Sequence, residues 1–595
     1  MRKARKSSTR RSHPSRSRQA PAELGHVAQG ADRTLRSYAV GGLPIINHVL
    51  ERMQLRKLLQ EHLPPDDPRT QLDTPRALLV LVRNILMSRE PVYGVGEWAR
   101  RYPADLLCVG WDEFELLNDD RLGRALSALF RGLTPSLIMG VVRQVVREFR
   151  VRLDELHNDS TSVSVYGAYA DAEQAGTRHG RATHAITWGH SKDHRPDLKQ
   201  LLYILTVSDD GGVPVYFESA SGNMVDDQTH RETWSLMCEL VGRPDFLYVA
   251  DCKLATTANM NYIAQRGGRF VSVLPATRKE DRTFRQRLRE GRPAVRWQPL
   301  YDVKSSDQPE RVLNRLSVCT DELVSAEGYR LLWYRSTRKV ELDQAARSRR
   351  TQRALAELSQ LRDRMQSPRT RFRERQKVEQ AVQTILQEHD LARWVTVDIQ
   401  ECERATFRQA SRGRPGKNTP YVKQVSTRYT LSWSSDPVRL AEEQIGDGVF
   451  PLISNAWELT AEELLRAYKR QPIIEKRFSQ LKTDFAVAPV YLKDVGRIQG
   501  LLGVYFLVLL VQTLIEREVR QAMQRHQLSS LPLYPEDRAC ARPTTQRVLE
   551  LFEPIQRHEL TRHADDQPET LITELSAAQR QVLKLLGLSP NHYGS

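Results

Sequence analysis

The sequence predicts an α/β protein in which a mixed sheet layered with helices is interrupted by an insertion and preceded by a helical domain. Three observations predict it. Apolar residues recur at helical spacing between about residues 33 and 150. From about residue 153 short β-branched runs alternate with helices. After Pro275 that regularity breaks, and it resumes near residue 447. The chain has 595 residues, too long for one domain of roughly 100–200 residues. The expected organisation is a disordered basic tail over 1–32, a helical domain over 33–150, the first part of the α/β domain over 151–275, an insertion over 276–446, the second part over 447–525 and a C-terminal tail region over 526–595.

The tail carries Arg2, Lys3, Arg5, Lys6, Arg10, Arg11, Arg16 and Arg18 with no acid before Glu23. It cannot bury enough apolar surface to fold alone. It reads either as a non-specific DNA-binding arm or as a solubilising extension. In the helical domain, Thr74-Pro75 and Thr134-Pro135 are helix starts, with Thr as N-cap and Pro at the first helical position. LDELHNDSTSVSVYG, LKQLLYILTVS and VPVYFES are strands, the last two separated by the turn Asp209-Asp210-Gly211-Gly212. Helix THRETWSLMCELVG, strand FLYVADC, helix TANMNYIAQRG and strand RFVSVLP follow. The insertion alternates strand-like runs (RLLWYRSTRKVEL, RWVTVDIQE, RYTLSWSS) with a charged helical hairpin around Ser367-Pro368, and 410–420 is a loop. The α/β pattern resumes with strand GVFPLISN, helices LTAEELLRAYKRQ and PIIEKRFSQLKTDF, and a long apolar helix from Val495. The last sixty or so residues read as polar and irregular, with a short helix near AAQRQVLKLLGL.

The formal net charge is +16 and the isoelectric point about 9.6. Such a field attracts polyanions, which favours nucleic acid over an acidic protein or a membrane surface. The six cysteines are scattered, with no C-x-x-C pair. That spacing excludes a zinc ribbon or a thioredoxin-type site and fits a reducing cytosol. No apolar stretch follows the basic N-terminus, so it is not a signal peptide. Ile498 to Ile515 approaches the length of a membrane span. Gln499 and Gln512 interrupt it and charges close in at Arg497, Glu516 and Arg517, so a buried core helix is expected.

Three acids carry the chemistry. Asp159 interrupts a β-branched strand, where burying a lone carboxylate costs several kcal/mol or shifts its pKa. Asp251 ends FLYVADC, and strand ends are where active sites gather. Glu475 lies beside the apolar face marked by Ile474 and Phe478. Taken alone, Asp159 and Glu475 read first as hydrogen-bonded or surface acids, and Asp251 reads equally either way. Together they are three oxygen donors suited to a hard cation such as Mg²⁺ or Mn²⁺. Two such ions about 3.5–4 Å apart clamp the attacking and leaving oxygens of a phosphoryl transfer. Lys482 follows Glu475 by nearly two helical turns, on the same face, where it would meet a phosphate. His190, Lys192, His194, Arg195 and Lys199 cluster after the first acid, either as phosphate contacts or as a polar hairpin loop.

Tyr468, Glu475 and Lys482 stand at the spacing Y-x-x-R-x-x-x-E-x-x-x-x-x-x-K. By this motif the chain resembles the DDE transposases of bacterial insertion sequences. NDDRLGRALSALF, GHSKDHRPDLKQL with SGNMVDD, and FLYVADCKLATTANM add to the resemblance, which spans about 40 to 515. It departs at Gln471, where the family has Arg; Arg470 is adjacent and Arg477 lies beyond Glu475. The resemblance implies an RNase H-like catalytic domain with Asp159 on its first strand, Asp251 on its fourth and Glu475 on a late helix. It implies two Mg²⁺ (or Mn²⁺) ions on these acids, and strand cleavage and transfer by water or a DNA 3′-hydroxyl. Tyr468, Arg470, Lys482, Lys192, Arg195 and His190 are the expected DNA contacts. The partners are double-stranded transposon ends and target DNA, bound by a homodimer with no membrane, in a nucleoid-associated bacterial cytoplasmic protein. Some relatives stack a flipped base on an aromatic residue of the insertion. Trp297, Trp333 and Trp433 lie there, and core packing is expected for each. The rivals are a catalytically inactive transposase-derived DNA-binding protein and a paired-carboxylate enzyme such as a glycosidase.

Overall fold

The computed structural model describes residues 34–224, 229–305, 308–367, 369–487, 490–562 and 567–594. The basic tail and part of SGNMVDD lie outside the described residues. The chain is a mixed α/β protein with an N-terminal helical region, and it divides into two compact units. The first comprises residues 1–249, 266–268 and 469–595, and the second 250–265 and 269–468.

The first unit opens with a strand, β1 (Thr34–Ala39), where helix was expected. It pairs antiparallel with Gln556–Thr561, which pairs with Glu569–Ile572. The C-terminal region is thus more regular than expected. Its strands are short and partly exposed, so no apolar alternation announces them. The expected short helix spans Ala577–Leu586, closed at its start by a Ser576–Gln579 capping box.

The helical region contains Leu43–Arg52, Leu55–His62, Thr74–Met87, Asp119–Gly132 and Pro135–Phe149. Thr134 caps the last of these by accepting the Leu137 N–H. For Thr74–Met87 the cap is one residue earlier than expected. Asp73 accepts the Arg76 N–H, while Thr74 hydrogen-bonds Asp66 through both its N–H and its hydroxyl.

The sheet of this unit contains β2 (Glu155–Val165), β3 (Lys199–Ser208), β4 (Pro214–Ser221) and β5 (Leu247–Ala250), in the order β4-β3-β2-β5. β3 pairs antiparallel with both β2 and β4. Against them packs the helix Val495–Arg525, whose apolar stretch is long enough to cross a membrane and is wholly buried within the protein. Phe506 stacks on Phe217, and Phe217 lies against Tyr203. The same helix touches Asp119–Gly132 so closely that a Cβ on Gly500 would lie 2.3 Å from the Leu126 carbonyl oxygen; only glycine fits that crossing. At its far end buried Arg517 pairs with Asp210 of the β3–β4 turn at 2.6 Å and donates to the Phe149 and Arg150 carbonyls. One guanidinium thereby ties the helical region to the entrance of β2.

The second unit holds β6 (Arg269–Val273), β7 (Trp297–Lys304), β8 (Val312–Cys319), β9 (Arg330–Ser336), the long pair β10 (Val395–Gln409) and β11 (Tyr421–Ser435), and β12 (Val449–Ser454). The order β6-β12-β9-β8-β7 makes an antiparallel sheet. RLLWYRSTRKVEL is only half strand. Ser336 accepts the Lys339 N–H and starts a 30-residue helix, Thr337–Gln366. That helix and Arg375–Glu388 form the expected hairpin, with Leu358, Leu361 and Met365 against Val378, Val382 and Ile385. Pro368 itself lies outside the described residues. All three tryptophans pack: Trp333 stacks on Phe284 at 3.9 Å with Trp297 beside them, and Trp433 lies on the helical-hairpin core.

Candidate active site

Successive side chains of a strand alternate between faces, so Glu155, His157 and Asp159 share one face of β2. At the inner end that face is closed. His157 is fully buried, and its Nε2 is 2.8 Å from Glu155 Oε1. Its Nδ1 is 2.9 Å from Oε1 of Gln471, and Gln471 Nε2 donates to the Asn158 carbonyl at 3.3 Å. Arg470 forks onto both Glu155 oxygens. Burial pushes the Glu155 carboxyl up, but hydrogen bonds from Arg470 and His157 outweigh it and hold it at about 2. Residues 470–471 are thus bolted to β2 immediately before the helix Pro472–Ser479, which carries an exposed Glu475 in its first turn. A carboxylate there also complements the helix dipole.

The other side of this helix is anchored as firmly. Arg477, 1% exposed, donates to the carbonyls of Gly212 (2.9 Å) and Gly211 (2.6 Å), to Gln480 Oε1 (2.6 Å) and to Glu516 (3.2 Å). Both glycines adopt positive φ, 77° at Gly211 and 69° at Gly212, a conformation that costs glycine little. Lys476 adds a 2.9 Å contact to buried Glu516. Burial pushes that carboxyl up, yet Arg477, Lys476 and Arg520 hold it below its ordinary value. The α-helix ends at Ser479, and Gln480–Asp484 wind as a π-turn. The seven residues from Glu475 to Lys482 are therefore not two uninterrupted α-turns.

The outer end of the β2 face is open. Asp159 keeps 22% of its side chain exposed. Its Oδ1 accepts the Ser160 N–H at 2.7 Å and the Lys192 ammonium at 3.2 Å. Lys192 also donates to Ser160 Oγ, and its N–H to Ser162 Oγ at 3.0 Å, so the 189–197 loop is pinned along β2. The next residue, Asp193, accepts from Lys482 Nζ at 2.5 Å. Arg195 is exposed, forks onto Asp197 at 2.8 and 2.7 Å and reaches the Tyr166 hydroxyl at 3.1 Å. His190 is exposed. The structure thus brings Asp159 to Lys192, Lys482 to the same loop, and Arg470 to Glu155.

Asp251 and Tyr468 belong to the second unit. Asp251 directly follows β5. Its Oδ1 accepts the Lys253 N–H at 2.9 Å, and its carbonyl accepts the Ser272 hydroxyl at 2.6 Å. Tyr468 is half-buried near the end of the helix Ala461–Lys469. Among the described residues, no group of three or more His, Cys, Asp or Glu side chains is gathered to hold a metal ion. Glu155, His157 and Asp193 were missed from sequence. For the first two the signal was there: polar residues two apart beside Asp159 on one strand face.

A family model described as a domain of unknown function, DUF4277, matches residues 35–142, the N-terminal helical stretch. No curated protein matches the chain. Among solved structures, the chain is similar to a cryo-EM structure of the piggyBac transposase synaptic complex with hairpin DNA. The identity is 6%, the alignment covers 86% of this chain and 78% of that one, and the TM-score is 0.33. A superposition at that score does not establish a common fold.

Proposed function

We propose that this chain is a DDE transposase that cleaves and joins DNA strands at the ends of an insertion sequence, with Asp159, Asp251 and Glu475 as its metal-binding acids. The observation that carries the reading is the brace between β2 and the Glu475 helix. Gln471, four residues before Glu475, hydrogen-bonds His157 and the Asn158 carbonyl, the two residues immediately before Asp159 on the strand. The supporting placements are Asp159 on the first strand of an antiparallel set and Asp251 directly after the fourth strand of that sheet, as an RNase H-like domain implies.

The donor chemistry fits a hard divalent cation, since all three side chains offer carboxylate oxygens. When bound, Mg²⁺ would polarise the phosphate and the attacking oxygen. The chain's own contribution is positional. Arg470 and Gln471 fix the start of the Glu475 helix, and Arg477 fixes its far side. Lys192 and Lys482, both held on the 189–197 loop, are cations able to exchange a carboxylate partner for a DNA phosphate. The partners on this reading are double-stranded transposon ends and target DNA, bound by a homodimer.

One pair of observations favours the alternative, a transposase-derived DNA-binding protein without catalysis: Gln471 stands where the signature has Arg, and among the described residues no metal-holding cluster is gathered. The test is cleavage of DNA bearing the inverted repeats that flank the native locus, with and without Mg²⁺, by wild type and Glu475→Ala. Metal-dependent cutting that the variant lacks is expected. Binding without cutting by both proteins would overturn the proposal in favour of the alternative.

A further inference from the structure

Beyond residue 400 the strands β10 and β11 leave their core and continue as an exposed two-stranded arm. The pair stays in register over fifteen residues per strand, from Val395–Ser435 to Gln409–Tyr421. Its base is anchored by Val395, Tyr429 and Leu431, packed on the helical hairpin. From Glu401 to Gln409 the arm extends about 27 Å at the usual rise per strand residue. The tip is ordered by its own bonds: Ala410 N–H to the Pro420 carbonyl, Thr419 N–H to the Gly416 carbonyl, and Gly416 N–H to Thr419 Oγ1.

The chemistry of this arm is one-sided. Between Arg404 and Arg428 stand Arg404, Arg408, Arg412, Arg414, Lys417, Lys423 and Arg428, without a single acid. Arg404 and Arg428 hydrogen-bond the Gln366 and Ser367 carbonyls at the arm's root. The remaining five are exposed and form no ion pair among the described residues. Some cations elsewhere in this unit are paired, as in Arg278–Glu327, Arg315–Asp302 and Arg347–Asp447; what sets the arm apart is the run of cations without an acid. Phe407 and Tyr421, 66% and 54% exposed, stand among the charges near the tip. Exposed rings beside cations that lack a carboxylate partner suit a partner that offers phosphates and bases.

We infer that the β10–β11 arm is a duplex-DNA-binding element that lays its tip in a groove. A two-stranded ribbon is of the size the major groove of B-DNA admits. The five unpaired cations would meet phosphates, with Phe407, Gln409 and Tyr421, which share one face of the ribbon, facing sugars and base edges. The inference deepens the transposase reading by naming a gripping surface, and it rests on that reading only for the choice of DNA as the polyanion.

The experiment uses the full chain, a fluorescent 30-base-pair duplex of random sequence, and EDTA, so that cleavage plays no part. One variant replaces Arg408, Arg412, Arg414, Lys417 and Lys423 by Ala. A control replaces five exposed arginines elsewhere in the same unit: Arg338, Arg349, Arg353, Arg364 and Arg373. The arm variant should bind at least about tenfold more weakly at 100 mM salt. Its slope of log affinity against log salt should be shallower by about 4–5, since each of the five lost phosphate contacts removes about 0.9. Unchanged thermal unfolding would show that it folds. A further variant, Phe407→Ser with Tyr421→Ser, should lose several-fold affinity with an unchanged slope. Unchanged affinity and slope in the arm variant would overturn the inference. So would an equal loss in the control, which would reduce the effect to net charge. Loss of binding to anionic phospholipid vesicles with duplex binding intact would also overturn it, in favour of a membrane surface. A wild-type chain that never cuts DNA with Mg²⁺ but shows the arm's slope would sink the catalytic reading alone.

Discussion

Glu155 and Asp159 project from the same face of one strand, yet their surroundings are opposite. Glu155 is buried, clasped by a forked guanidinium and a buried imidazole, and every partner is fixed by the fold. Asp159 is partly exposed, with Lys192 as its cationic partner on a surface loop. The difference lies in what replacing the partner would cost. Stripping Arg470 from Glu155 leaves a buried charge, whereas moving Lys192 from Asp159 returns two groups to water. The strand therefore carries a structural carboxylate and an exchangeable one, and the second is the one suited to accept a metal ion.

Four substitutions would break or sharpen this contrast, from the largest effect to the smallest. Asp159→Asn should lower DNA cleavage by about 10³-fold or more, the scale of losing several kcal/mol of metal assistance, with an unchanged denaturation midpoint. Wild-type cleavage would end the contrast. Arg477→Ala removes a guanidinium with four acceptors and leaves Glu516 short of a partner, so it should destabilise the chain by about 3–5 kcal/mol in urea. A loss below about 1 kcal/mol would show that Lys476 and Arg520 suffice.

Glu155→Gln should cost about 2 kcal/mol at pH 7, and its pH dependence supplies the sharper test. The folded carboxyl is held at about 2 against an ordinary 4.5. Its stabilisation is therefore fully present above about 4.5 and is lost as pH falls through about 2. The gap between wild type and variant in denaturation midpoint should close over that window, and a constant gap would assign the loss to packing. Lys192→Ala should change stability by less than about 1 kcal/mol while raising Mg²⁺ affinity several-fold, read by titration calorimetry. Weakened Mg²⁺ binding would mean that Lys192 supports the site rather than filling it.

Much of this was legible in the sequence for a physical reason. Asp159 and Asp251 stand out because carboxylates are conspicuous within or at the end of short apolar strands, and local pattern is enough to see that. The long helix from Val495 announced its burial by composition alone. The Arg470–Glu155 clasp is different, because its partners lie 315 residues apart and no local pattern relates them. Read locally, Arg470 was a free cation for DNA; in the fold it already has a carboxylate. The π-turn after Ser479 escaped for a similar reason, since helical periodicity assumes the α winding it would have to detect. The β10–β11 arm was half visible: its tip was read as a loop, while its length stayed hidden because neither outer face alternates.

The pairing of β1 with Gln556–Thr561 has a consequence in time. Ser37 Oγ and His558 Nδ1 meet at 2.8 Å across 521 positions of sequence. Ribosomes add about 5–20 residues each second, so β1 waits roughly 25–100 s after its own synthesis before its partner strand exists. Nascent chains stalled short of residue 556 should leave β1 open to protease, and full-length chains should protect it.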